Sequence, residues 1–183
     1  MSIVRCVITG TILLVAAGCG NDRSPTDPLT PALAERRDAH DAATGAHRVD
    51  ATGHYTAVVD FSSLTLKPRG RNCLLEVDGT LFFTGTIVGS AVAHTSAPVF
   101  ASCAQVATTP PGTYRDVFTS RAVFDGTVNG EPAHANLLYA GVTEVGGAID
   151  AHLIFSNGLA GVLDAVNARV AVGGDYRGAA VVP

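Results

Sequence analysis

Few side chains in this sequence combine the type and spacing that chemistry needs. His134 and His152 fall on even-numbered positions of two neighbouring segments, with Asn136 and Asp150 beside them. Such a set could meet across one hairpin and ligate a metal, since imidazole and carboxylate are ordinary ligands. The face they share is polar, whereas the odd-numbered face is apolar, so exposed hairpin histidines are the expectation and no metal site is assigned. Asp164 stands in step with Val162 and Val166, a carboxylate on an apolar face. It reads either as a general base at a barrel mouth or, preferred here, as a turn residue whose oxygens cap backbone amides. His94 ends its segment and carries no further signal. No Ser/His/Asp order, phosphate loop or paired-carboxylate motif stands out, so no catalytic residue and no cofactor are assigned.

The cysteines say more. Arg5 supplies a positive charge within an apolar run, Ile3 to Val15, that is broken only by Arg5, Thr9, Gly10 and Thr11. This is the anatomy of a signal peptide, and it is shorter than the roughly 20 apolar residues a spanning helix needs. Leu14-Val15-Ala16-Ala17-Gly18-Cys19 follows at once and resembles the lipobox of bacterial lipoproteins, with Ala16 where that family prefers Leu. The resemblance implies cleavage before Cys19, a thioether lipid on its sulfur, and acylation of the new amino terminus. Two or more acyl chains make anchoring to a membrane stable, whereas one binds marginally. Gly20 and Asn21 come next, with no Asp directly after the cysteine. In similar proteins that favours the outer membrane, facing the periplasm, in a host that has one. An ordinary cleaved signal with an incidental cysteine is the alternative.

Cleavage leaves 183 − 18 = 165 residues, enough for one domain and a tether. The composition, 47% apolar and 15% charged, excludes a disordered chain. A net charge of −4 with no Lys/Arg cluster offers no footprint for nucleic acid. Cys6 departs with the signal peptide and Cys19 takes the lipid, so the domain keeps Cys73 and Cys103. In an oxidising compartment this pair is most simply a disulfide. A two-cysteine metal site is the alternative, without CxxC spacing or nearby histidines.

Residues 19–50 read as the lipid anchor and a solvated tether, in which Pro25, Pro28 and Pro31 alternate with polar residues and His40 and His47 face solvent. Thr30 and Pro31 could open a short helix there. From residue 51 to 183 the apolar period is two, as in strands with one buried face. Tyr55, Ala57, Val59 and Phe61 face inward, as do Leu81, Phe83, Gly85, Ile87, Gly89 and Ala91 along what reads as one long strand. Phe118, Ser120, Ala122, Phe124 and Val128 follow, then Ala135, Leu137 and Tyr139, then Ile149, Ala151, Leu153 and Phe155. Val162, Val166, Ala168, Val170 and Val172 make a further inward face, and Tyr176, Gly178, Ala180 and Val182 close the chain. Turns are expected at Asn129-Gly130, Gly146-Gly147, Asn157-Gly158 and Gly173-Gly174. No helix is expected after residue 51.

Short strands joined by glycine turns indicate an all-β domain, an antiparallel closed barrel of about eight strands or, as the alternative, a β-sandwich. Inward Gly and Ala interleaved with Phe and Tyr favour the barrel. Phe124-Asp125-Gly126-Thr127-Val128-Asn129-Gly130, Leu138-Tyr139-Ala140-Gly141, Gly158-Leu159-Ala160-Gly161-Val162 and Gly174-Asp175-Tyr176-Arg177-Gly178 resemble the bacterial proteins of the allene-oxide-cyclase-like barrel superfamily, relatives of dirigent proteins. The resemblance covers the C-terminal two-thirds of the domain and implies an eight-stranded barrel with an apolar cavity. Asp164 stands near where relatives carry Gly, and no catalytic position transfers. The candidate cavity lining is Tyr55, Phe61, Phe83, Phe118, Phe124, Tyr139 and Phe155, with Leu137 and Leu153 converging on the same interior. Three functions follow as expectations. The first is a lipid-anchored, non-catalytic barrel at the cell envelope that binds a small apolar molecule. The second is a cyclase or isomerase in the same cavity, and the third a structural or protein-interaction module with a filled barrel and an exposed apolar patch. A largely filled barrel with a small pocket at one mouth is expected.

Overall fold

A computed structural model describes residues 45–183. The run read as a signal peptide, Cys6, Cys19, His40 and the helix start expected at Thr30-Pro31 all lie outside the described residues. Eight strands follow one another: β1 (His47–Arg69), β2 (Asn72–Gly85), β3 (Ile87–Val99), β4 (Asp116–Val128), β5 (Glu131–Thr143), β6 (Ile149–Ser156), β7 (Ala160–Arg169) and β8 (Gly173–Val182). Each pairs antiparallel with its chain neighbours, and β1 pairs with β8, closing the barrel. Closure removes every sheet edge, which excludes the sandwich.

Closure also moves the domain boundary. His47 pairs with Val182 and Val49 with Ala180, and Val49 is buried. The barrel therefore begins at residue 47 and not 51, because β1 must run the full length of β8 to seal the seam. His47, expected in the tether, is an exposed residue at the start of β1, 3.9 Å from Glu131.

The two-residue repeat sets which side chains turn inward, and the turns preserve or shift it. At the β4–β5 hairpin, Val128 pairs with Glu131 across Asn129 and Gly130, whose φ of 50° and 86° suit a tight hairpin turn. The segment read as one long strand through Leu81–Ala91 is in fact two, β2 and β3, folded back near Thr86. Phe83 pairs with Gly89, odd with odd, so the inward face was still the odd one. The turn expected at Gly173-Gly174 lies earlier, over Val170–Val172, where Ala171 has φ 57°. One short helix, α1 (Cys103–Val106), was not expected; Ser102 and Gln105 form its capping box.

Two register shifts override the repeat. In β1 the pairing slips between Asp60 and Thr65, and in β7 between Val166 and Arg169. A one-residue slip sends every following side chain to the opposite face. Upstream of the second slip, β7 buries Leu163 and exposes Val162, the reverse of the expected Val162/Val166 face. Within it Ala168 is buried, and beyond it Val172 is exposed.

The interior divides into two halves. Strand ends near the termini surround a packed plug in which Phe83, Phe124, Phe155 and Tyr176 are fully buried. Their rings meet at 5.6–6.2 Å, mostly edge to face, the arrangement aromatic quadrupoles prefer. The Tyr176 hydroxyl accepts from the Ile87 amide at 2.8 Å and donates toward the Thr84 and Ile87 carbonyls. The opposite half is hollow.

Candidate functional site

The hollow half exists because one of its walls is thin. Inward positions of β3 beyond the plug are Ala91, Ala93, Thr95 and Ala97, all short, and β4 and β5 contribute Ser120 and Thr143 there. No long side chain is available to fill the space they leave. A cavity of about 380 Å³ results, within the range of ~300–1,000 Å³ common for small-molecule sites. Tyr55, Phe118 and Tyr139 line it toward the plug, and Leu75 and Val77 line its side.

The β3–β4 connection, residues 100–115, forms its roof. Cys73 of β2 and Cys103 of α1 are joined by a disulfide with Cα atoms 4.8 Å apart, which pins the start of this loop to the barrel. Its far end is held by the Gly146 amide donating to the Gly112 carbonyl at 2.9 Å and by Arg115 bonding the Glu144 carboxylate at 3.2 Å. Gly112 has φ 83°, and a Cβ there would lie 2.7 Å from the Gly147 Cα, so only glycine allows this approach.

Polar groups in the cavity are few and mostly satisfy one another. Thr95 and Ser120 share a hydrogen bond of 2.6 Å, and the Tyr55 and Tyr139 hydroxyls share one of 2.7 Å. Burial pushes the Tyr55 phenol up to about 12 and raises Tyr139 further, so both stay protonated and serve as donors rather than bases. Within the pair one hydroxyl donates and the other accepts.

Asp116 is the exception. It is the first residue of β4, opposite Thr143 and two positions before the inward Phe118, so its side chain turns into the cavity below the roof. Its Oδ1 is buried with no hydrogen-bond partner among the described residues. Burial raises its pKa to about 6, and the neighbouring Thr143 hydroxyl offsets only part of this. None of the ion pairs among the described residues includes it. The sequence reading began the β4 inward series at Phe118; extending the same alternation back two residues reaches Asp116.

The expected lining residues separate into three groups. Tyr55, Phe118 and Tyr139 border the cavity. Phe83, Phe124 and Phe155 do not, since they belong to the plug with Leu137 and Leu153. Phe61 is 56% exposed at the cavity rim, because it sits where the β1 pairing slips and the alternation no longer holds.

The polar candidates lie outside the barrel. Asp164 is exposed, opposite His152, with its carboxylate 3.1 Å from the imidazole. It is neither a base at the mouth nor a cap on backbone amides, because Leu163 takes the inward position. His134 faces Asp125 across β4–β5, and Ala140 rather than His134 stands opposite His152, so the two histidines do not meet. His94 pairs with Asp78 at 2.7 Å and His54 with Asp175 at 3.1 Å, both exposed. Such pairs contribute little stability. Among the described residues no group of three or more His, Cys, Asp or Glu is placed to hold a metal.

The outer face also carries exposed Val92, Val123, Ile154 and Val162, the apolar patch an interaction module would need. The filled barrel that reading also required is absent. Fold and site together define a closed eight-stranded antiparallel barrel, packed at one end and hollow at the other. Comparison with protein-family models, curated proteins and solved structures finds no match to this chain.

Proposed function

We propose that this protein is a lipid-anchored, non-catalytic β-barrel of the cell envelope that holds a small, mostly apolar molecule in the cavity beneath the 100–115 loop. The observation that carries this reading is the cavity itself, about 380 Å³ with apolar walls and a pinned roof. The lipobox-like run ending at Cys19 supports the anchor, and the lack of Asp directly after it supports the outer membrane, facing the periplasm, in a host that has one. A disulfide-bonded domain suits an oxidising compartment. A closed eight-stranded barrel with an apolar cavity is also what the resemblance to the allene-oxide-cyclase-like superfamily implies. Binding is preferred to chemistry because the tyrosine hydroxyls bond each other, as do Thr95 and Ser120, and neither pair includes a base. A cyclase or isomerase in the same cavity is the second reading. Asp116 favours it, a carboxyl whose pKa of about 6 suits proton transfer near neutrality.

Native mass spectrometry of the full chain, purified from the envelope, tests the binding reading against the variant Ala97→Phe. Ala97 is buried on the cavity wall, so the ring would occupy the hollow. The native chain should carry a co-purified apolar molecule that the variant lacks while remaining folded. Equal occupancy in both would place the molecule elsewhere and end the cavity reading.

A further inference from the structure

The cavity has apolar walls, and its hydroxyls are largely engaged with one another. Asp116 Oδ1, by contrast, is buried, turned inward and without a partner. An acceptor left unpaired in such a place costs free energy, comparable to a lost hydrogen bond or more when charged. Structures keep such a group where something other than the fold completes it. We propose that Asp116 is the ligand anchor of this cavity and that its ligand class is a small apolar amine, whose ammonium donates to Oδ1 while its hydrocarbon body lies toward Tyr55, Phe118 and Tyr139. This deepens the reading of the cavity as a binding site and rests on it.

The charges around Asp116 favour a cation over a neutral donor. From β5 it meets Thr143, which carries no charge, and from β3 Val99. Arg115, its chain neighbour, is committed to Glu144 on the outside. Arg169 lines the cavity, but its guanidinium donates to the Gly146 carbonyl at 2.9 Å. Asp78 touches the lining, but its carboxylate is exposed on the outer face and bonded to His94. The tyrosines at the plug end stay neutral. Arg169 keeps its charge, but no salt bridge among the described residues pairs a cation with this carboxylate, and an anionic ligand would meet like charge. An ammonium gains a charge-assisted hydrogen bond, roughly twice as strong as a neutral one. The location near the roof puts the polar end of the ligand at the mouth and its apolar end deeper, where the walls are driest.

Three matched probes test this: cyclohexylmethylamine, cyclohexylmethanol and cyclohexanecarboxylate, titrated calorimetrically into the full chain and into Asp116→Asn at pH 7.5. The amine should bind the native chain about tenfold tighter than the alcohol, the spread expected of a hydrogen bond to a charged group, with the carboxylate weakest. Asp116→Asn should remove that preference and leave the alcohol affinity within about threefold, the spread of a neutral hydrogen bond. On the native chain alone, amine affinity should fall as pH drops from 7.5 to 5, through the carboxyl's pKa of about 6, while alcohol affinity holds. An alcohol that binds as tightly as the amine, or an amine preference that survives Asp116→Asn, overturns the amine assignment and leaves the cavity reading standing. Binding of none of the three overturns both.

Discussion

Replacing Asp116 by asparagine should stabilise the protein at pH 8 and do so only about a third as much at pH 4.5. In the folded state burial lifts this carboxyl from 3.8 to about 6. The folded chain therefore binds the proton more tightly than the unfolded chain between those values, and the stability this group contributes falls as pH rises from about 4 to about 6. At 1.36 kcal/mol per unit the full difference is at most about 3 kcal/mol. Partial exposure of the side chain reduces it to about 1–2 kcal/mol, because solvent screens what it reaches. Asparagine keeps the shape and removes the charge, so it resembles the protonated aspartic acid at every pH. Urea denaturation of the full chain and of the variant, with the disulfide intact, at pH 4.5, 6 and 8 measures this difference. Other carboxylates carry the opposite slope: the Ser62 hydroxyl lowers Asp60, Lys67 lowers Glu76, and His54 followed by Asn167 lowers Asp175. Both proteins retain them, so they cancel in the difference. A variant equally stable or less stable than the native chain at pH 8 would refute the reasoning, since the carboxylate would then have a partner in the fold.

The packed and hollow halves should respond differently to truncation. Phe124→Ala, at a fully buried ring, should cost about 3 to 5 kcal/mol. Phe118→Ala, beside the cavity, should cost clearly less, and Arg121→Ala, on the outer face, within about 0.5 kcal/mol; denaturation midpoints that put Arg121 first would reverse the assigned faces. Breaking the Cys73–Cys103 bridge, which spans 30 residues, should cost about 3 to 4 kcal/mol. Intact mass after alkylation under denaturing, non-reducing conditions should reveal no free thiol in the domain. Cys19→Ser should abolish labelling by a fatty-acid analogue, and undiminished labelling would remove the lipid anchor from the proposed function.

Much of the barrel was legible because a strand's two faces follow from local alternation. Tyr55, Phe83, Phe118, Phe124, Tyr139 and Phe155 all point inward, as their positions imply. Even the missed β2–β3 turn did no harm, since Phe83 pairs with Gly89 and the odd face stays odd. Asn129-Gly130 was legible for a related reason, as two consecutive residues that tolerate positive φ suit a tight hairpin. Phe61 and the β7 valines were not, because each lies on a strand whose register shifts; the only local marks are Asp60, whose carboxylate accepts from the Ser62 amide, and Asn167 at φ 53°, and neither interrupts the apolar alternation on which the faces were read. Asp164 was misplaced by the same cause.

From the sequence alone came the all-β class, the closed antiparallel order, the Cys73–Cys103 pairing and most of the inward faces. These rest on interactions between near neighbours or on simple elimination, and a linear pattern records both. Only the tertiary structure decided that the barrel is full at one end and hollow at the other, and that Asp116 stands in the hollow with an unpaired oxygen. A cavity is what remains after the side chains of all eight strands have been placed at the registers closure imposes. Its volume depends on the short side chains of β3 meeting those of β4 and β5 at one height, under a loop held by Cys103 and Gly112. No strand carries that coincidence by itself.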